Sequence, residues 1–221
     1  MFELLPEGML KAFGFDNLGS DFTGYLGHYF YGFIIVVFPA IYIVLAANKL
    51  VAKHVDTGSM AYLLATPNSR VRIAVTQVSF LLAGLAAIFI VTIGILILMG
   101  EAMYPGLLRI GPFLLLNLVT YLVLAVIAAL AFFFSCIFNE ARYSLALGGG
   151  IPVAFLVVKM VSDASEKFEG LRYISLYSVI NIDKILAKGA YGAVASLVLL
   201  AVATAIYLLS IRIFNKKSLA I

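Results

Sequence analysis

Tryptophan is absent from this chain, cysteine occurs once, histidine twice, and only 12% of its 221 residues are charged. Soluble domains carry about 25% charged and roughly 45–50% apolar residues. Here the apolar share is 64% and the mean hydropathy +1.11. A water-soluble fold of this length has nowhere to hide so much apolar surface, which excludes a soluble enzyme, a nucleic-acid-binding domain and a disordered tail. The lone Cys136 lies in an apolar run and has no second cysteine with which to form an intramolecular disulfide. His28 and His54 fall at opposite ends of one apolar stretch, too far apart to share a metal, and read as ordinary interfacial residues.

Reactive motifs are missing as well. There is no Gly-x-x-x-x-Gly-Lys loop, and Gly148-Gly149-Gly150 runs into Ile151-Pro152 without a lysine. Those glycines suit close helix packing or a kink better than phosphate binding. His-Glu-x-x-His, Gly-x-Ser-x-Gly and paired intramembrane carboxylates are all lacking, so no catalytic, cofactor-binding or metal-binding residues are expected, and any energy source must reside in another chain. Ion-coupled transporters usually place ionisable groups at mid-membrane, and none stands there. The polar residues inside apolar runs are Gln77, Ser79, Thr92, Asn117, Thr120, Ser135 and Thr204. Asn117, with Thr120 one turn on, is expected to make a helix–helix hydrogen bond, a transport-path contact being the other reading. Pro39 and Pro152 should each free a carbonyl and bend a helix, and Lys159 is close enough to a span end to snorkel.

What is present is five apolar runs, about Tyr29–Ala47, Ile73–Met99, Ile110–Phe138, Tyr143–Val161 and Ala190–Ile211. Each meets the roughly 20 residues that a bilayer core requires, and the second and third exceed it and should tilt or project. The fold class expected is therefore all-α, a polytopic membrane helix bundle. Without tryptophan, Tyr29, Tyr31, Tyr104, Tyr143, Tyr191 and Tyr207 are the candidates for the interfacial belt.

Charge orients the bundle. Residues 48–72, 139–142 and the tail from Arg212 hold eight bases against two acids, Asp56 and Glu140; the remaining segments hold seven bases against nine acids. The positive-inside rule then makes the first set cytoplasmic, leaving the amino terminus outside and residues 162–189 an external loop. The bases, net +4 overall, have lipid headgroups rather than nucleic acid as their nearest partners. Residues 1–28 carry Glu3, Glu7, Asp16 and Asp21 against Lys11 alone, which is no signal peptide. They read as an external loop with a short interfacial helix, opened by Pro6, with Met9, Leu10 and Phe13 on one face and Gly14 as the stop. External loops usually follow a span, so a preceding helix is expected to be missing from this chain, a short translocated tail being the other reading.

The most structured polar stretch is cytoplasmic, residues 48–73. Asp56, Thr57 or Ser59 can cap a helix through Ala61–Ala65, with Met60, Leu63 and Leu64 at helical spacing. Pro67 ends it, and Asn68-Ser69 turn into Arg70 and Arg72. Such a helix is a surface anchor or a knob for a partner, and periodicity alone leaves both open.

In order and spacing, Asp56-Thr57-Gly58-Ser59, Tyr62-Leu63-Leu64-Ala65-Thr66-Pro67 and Asn68-Ser69-Arg70 resemble the loop after the second helix in permease subunits of type-2 ATP-binding-cassette exporters. The family often has a glutamate where His54-Val55 stands here. Leu5–Gly14 is similar to the family's first external loop, Tyr173–Tyr177 with Asp183–Leu186 to the segment before its last helix, and Phe214–Leu219 to its basic tail. The resemblance implies six helices per subunit, of which the five here match the second to the sixth. It also implies two permease subunits, the same or homologous, above two ATPase subunits that bind ATP and magnesium. The 56–66 helix would be the coupling helix: Met60, Leu63 and Leu64 supply burial against the ATPase, Tyr62, Asp56 and His54 polar contacts, and Gly58, Pro67 and Arg70 the rest of the motif. The cargo would be amphipathic or hydrophobic, a peptide, antibiotic or lipid-like molecule. A non-transporting sensor, immunity or assembly subunit is the alternative; a lipid-modifying enzyme would need clustered Asp, Glu or His at a membrane face.

Overall fold

A computed structural model describes residues 21–164 and 166–217. The helix expected over Pro6–Gly14 lies outside the described residues, as do Ser218 and Leu219 of the tail. Among the described residues every regular element is helical, and five helices are long and apolar enough to cross a bilayer.

The first, α1, is a continuous run of Phe22–Leu26, a π-helical segment Gly27–Ile34, and Ile35–Leu50. Two short helices follow, α2 (Ala52–Asp56) and α3 (Met60–Leu64). Then come α4 (Arg70–Met103), α5 (Ile110–Ile137) and α6 (Ala141–Ala164). Two 3-10 segments, Glu166–Tyr173 and Leu176–Val179, lead to α7 (Ile182–Ala187) and the last long helix, α8 (Gly189–Lys216).

Helix α1 starts at Phe22, ahead of the Tyr29 expected. The glycines and polar residues of 22–28 argue against a helix by propensity, but tertiary contacts override them. Asp21 caps the helix by accepting from the Gly24 amide at 3.0 Å, and its other carboxylate oxygen pairs with Arg109 at 2.7 Å. The Arg109 amide donates to the buried Thr23 hydroxyl at 2.9 Å, tying the start of α1 to the start of α5. Likewise, within the segment expected to be an external loop, three short helical elements occur, Glu166–Tyr173, Leu176–Val179 and Ile182–Ala187.

Helix α5 is apolar on all sides and occupies the centre; every residue from Leu122 to Ala129 is buried. The others bury one stripe and leave the remainder to lipid. In α8 the stripe is Gly192, Ser196, Leu199, Ala203, Tyr207, Ser210 and Phe214, at three- or four-residue steps. Lipid tails are as apolar as leucine, so close approach and interhelical polar contacts decide which helices pair. Gly148 of α6 shows the first: a Cβ there would sit 3.4 Å from the Ala131 backbone of α5. Its neighbour Gly149 faces Val44 of α1, whereas Gly150 has nothing near it, so two of the three glycines serve packing as expected.

Two tyrosines expected at the interface are instead buried glue. Tyr31 donates to Asn117 Oδ1 at 2.6 Å and Tyr207 to the Ala125 carbonyl at 3.4 Å. Their rings satisfy the apolar centre while each hydroxyl finds an acceptor on α5. Asn117 completes its bonding by donating to the Phe113 carbonyl at 2.8 Å, and Thr120 donates to the Leu116 carbonyl at 2.8 Å. Both side chains are buried; the Tyr31–Asn117 bond joins α1 to α5, whereas that of Thr120 stays within its own helix. Lys159 does not reach alone for the interface: Asp163, one turn on, pairs with it at 2.8 Å. Both prolines stay inside their helices, Pro39 in α1 and Pro152 in α6, and both are buried.

Candidate functional site

The sequence motif folds into one unit at the end of the bundle where α1 gives way to α4. At Val51 the backbone leaves the helical region (φ −128, ψ −66), separating α2 from α1. The break is bridged from the central helix: Ser135 Oγ accepts from the buried Ala52 amide at 2.9 Å and donates to the Ala47 carbonyl at 2.8 Å. A single hydroxyl of α5 thus holds both sides of the discontinuity. Ser135 reads from the sequence only as one more polar residue in an apolar run, because its role depends on a break that residue patterns do not reveal.

Beyond α2 the chain reverses through Thr57-Gly58-Ser59, where Gly58 has φ +72, a left-handed conformation that favours glycine. None of Asp56, Thr57 and Ser59 caps α3 by its side chain, contrary to expectation. Ser59 itself takes the cap position with helical backbone angles and no side-chain cap bond. Its hydroxyl turns back to α2 instead, 2.8 Å from His54 Nδ1 and 2.9 Å from Thr57 Oγ1. The Thr57 hydroxyl donates to the Lys53 carbonyl at 2.8 Å. This polar clasp fixes the angle between α2 and α3. Downstream, Thr66 donates to the Leu63 carbonyl at 2.6 Å, and Ser69 caps α4 by accepting from the Arg72 amide at 3.2 Å.

The apolar side of α3 does not face outward. Met60 is only 2% exposed and packs into the bundle core, with Leu63 and Leu64 half-buried against it. Little of the Met60 side chain is therefore left on the surface. A five-residue helix resting on a membrane bundle satisfies its apolar side with its own protein first. What it presents is Tyr62, 81% exposed, with Asp56, Gly58 and Pro67 also exposed. His54 is held inside the clasp. Arg70 donates to the Lys217 carbonyl at 2.7 Å, which links the start of α4 to the chain's last described residue.

Lys217 adds a second tether. Its Nζ donates to the carbonyls of Cys136 and Phe138, both at 2.9 Å. A cation on the free carbonyls at a helix carboxyl end is favourable. Burial lowers the Lys217 ammonium pKa from its ordinary value. The basic tail was legible, but not this cap on α5.

No group of His, Cys, Asp or Glu able to hold a metal occurs among the described residues. What the arrangement presents is an outward-facing knob braced on the central helix. A family profile described as ABC-2 family transporter protein matches residues 4–219. The chain belongs to this family, as a multi-pass membrane component that is not itself a nucleotide-binding domain. Neither curated proteins nor solved structures gave a match.

Proposed function

We propose that this chain is the permease subunit of an ATP-driven exporter, and that a separate ATPase seats on the exposed side of the 52–69 segment. One observation carries the reading: a projecting turn with Tyr62 at its tip is wired by Ser135 to the most buried helix of the bundle. Movement imposed on that turn by an ATP-binding partner passes to α5 through Ser135, and to α4 through the Ser69 cap. The contact surface is Tyr62 with Asp56, Gly58 and Pro67, while Met60, Leu63 and Leu64 seat the knob on its own bundle. His54 and Arg70 hold its shape. ATP and magnesium bind on the partner, two ATPases serve two permeases, and the basic flanks of the segment make this the cytoplasmic end.

The cargo class proposed is amphipathic or hydrophobic. Its support is an apolar groove of about 260 Å³ between α1 and α6, walled by Val37, Ile41, Val44, Pro152 and Val153. Such walls would leave a small ion or sugar without hydrogen-bond partners.

Replacing Tyr62 tests the function. Exposed substitutions change stability by about 0.5 kcal/mol or less, whereas an interfacial tyrosine hot spot is worth about 2 kcal/mol, or roughly thirty-fold in affinity. Tyr62→Asp is expected to abolish co-purification of the ATPase and ATP-dependent efflux while leaving the purified permease folded. Unchanged association and efflux contradict the reading.

A further inference from the structure

The opposite end of the bundle carries a second polar site. The 3-10 turn Leu176–Val179, the end of the preceding 3-10 segment and α7 enclose a cavity of about 280 Å³. Its described lining includes two bases, Arg172 and Lys184, and four hydroxyls, those of Tyr173, Ser175, Ser178 and Tyr191, with no carboxylate among the described residues. In a chain this poor in charge, two cations converging on one hollow call for an account.

Arg172 and Lys184 form no ion pair among the described residues, although four pairs occur elsewhere. Asp183, next in sequence to Lys184, is directed away and lies 3.1 Å from His28 Nε2 on α1. The Lys184 ammonium rests 5.9 Å from the Tyr191 ring centroid, a contact that orients a cation without discharging it. Most of the other polar groups serve as walls. Ser175 donates to the Phe155 carbonyl at 2.7 Å, Tyr191 to the Val179 carbonyl at 3.2 Å, and Asn181 Oδ1 accepts from the Lys184 amide at 3.0 Å.

Ser178 is different. Its Oγ is buried and has no hydrogen-bond partner. A buried hydroxyl without a partner costs about 1–3 kcal/mol unless something fills the site. Two unpaired bases and one waiting hydroxyl donor are the complement of an anion with several acceptor oxygens. The surroundings indicate its form. Tyr173 is 93% exposed, and Phe168 and Ile174 stand exposed beside it at the end of the apolar spans. Those are the side chains that settle at a headgroup layer.

The geometry points to a binding site for a phosphate-bearing anion in this cavity, with the headgroup of an anionic phospholipid as its source. The phosphate oxygens take the Arg172 guanidinium, the Lys184 ammonium and the Ser178 hydroxyl, while Tyr173 and Ile174 lie along the acyl chains. The site is remote from the 52–69 segment and does not depend on the transport reading.

Thermal unfolding of the full chain in a neutral detergent tests it, titrated separately with dioctanoyl-phosphatidylglycerol, dioctanoyl-phosphatidylcholine and inorganic phosphate. Phosphatidylglycerol is expected to raise the midpoint saturably and phosphatidylcholine not to. The double variant R172Q/K184Q should lose at least tenfold in apparent affinity, and Ser178→Ala a smaller factor. Lys49→Gln, which removes an exposed base at the other end, should keep the wild-type response. Should the double variant fail to fold, Lys184→Glu alone changes only an exposed side chain and should lose the same response. Inorganic phosphate acting as well as the lipid, and lost in the same variants, upholds the site and makes free phosphate its ligand. No saturable shift with either, or a shift that survives in the variants, overturns the proposal.

Discussion

Replacing Ser135 with alanine removes one oxygen and, with it, the bridge between α1, α2 and α5. The Ala52 amide is fully buried and has the Ser135 hydroxyl as its acceptor at 2.9 Å. A buried donor left without a partner costs about 1–3 kcal/mol, while side-chain hydrogen bonds between membrane helices average about 0.6 kcal/mol. A loss of about 1.5 kcal/mol follows, since the orphaned group is backbone and alanine brings no substitute. That is slightly more than tenfold in the equilibrium for opening α2 and α3. Hydrogen exchange on the purified chain reads it directly. Amides of residues 52–64 should exchange about tenfold faster in Ser135→Ala, and those in the middle of α5 should be unchanged. A change below twofold across 52–64 would refute the assignment of Ser135 as the brace, and uniform acceleration over all five spans would mean general destabilisation instead.

Three further outcomes are expected. Tyr31→Phe should destabilise the bundle by about 0.6 kcal/mol and at most about 1.7, and a double-mutant cycle with Asn117→Leu should return a coupling of that size; zero coupling contradicts the 2.6 Å bond. Gly148→Leu puts a side chain where a Cβ is already 3.4 Å from the Ala131 backbone. Overpacking of this kind costs about 1–3 kcal/mol, whereas Gly150→Leu, with open space around it, should cost less, as detergent unfolding would report. Burial raises the pKa of the Tyr177 phenol above its ordinary value of 10.0. The fold thus favours the neutral phenol, and the stability this lends is complete below pH 10 and declines as pH rises beyond it. Tyr177→Phe should flatten that alkaline decline in the unfolding midpoint; an identical decline in both proteins would show that Tyr177 ionises freely.

The spans were legible because lipid leaves so few alternatives: a backbone in hydrocarbon must be helical, and about 20 apolar residues must cover it. The 52–69 motif was legible for a different reason, its turn residues. Gly58, Pro67 and Ser69 do in the fold what their types imply. Which way α3 faces was not. In five residues, apolar positions at 60, 63 and 64 mark a face but cannot say whether the bundle or a partner covers it. The structure gives Met60 to the bundle and Tyr62 to the outside. Tyr31 and Tyr207 misled for a related reason, since an amphipathic ring suits a headgroup layer and a buried acceptor equally well. Ser135, Lys217 and the His28–Asp183 contact join residues far apart in sequence, beyond the reach of any local pattern.

Docking of an ATPase on the outward side of α3 is the proposed link between ATP and transport. A photo-crosslinking amino acid placed at position 62, in membranes that also hold the ATPase, tests this most directly. Crosslinking to the ATPase from position 62, and none from position 60, where the side chain is 2% exposed, is the predicted result. Equal crosslinking from both positions, or crosslinks from 62 only to lipid or to the permease itself, would contradict it.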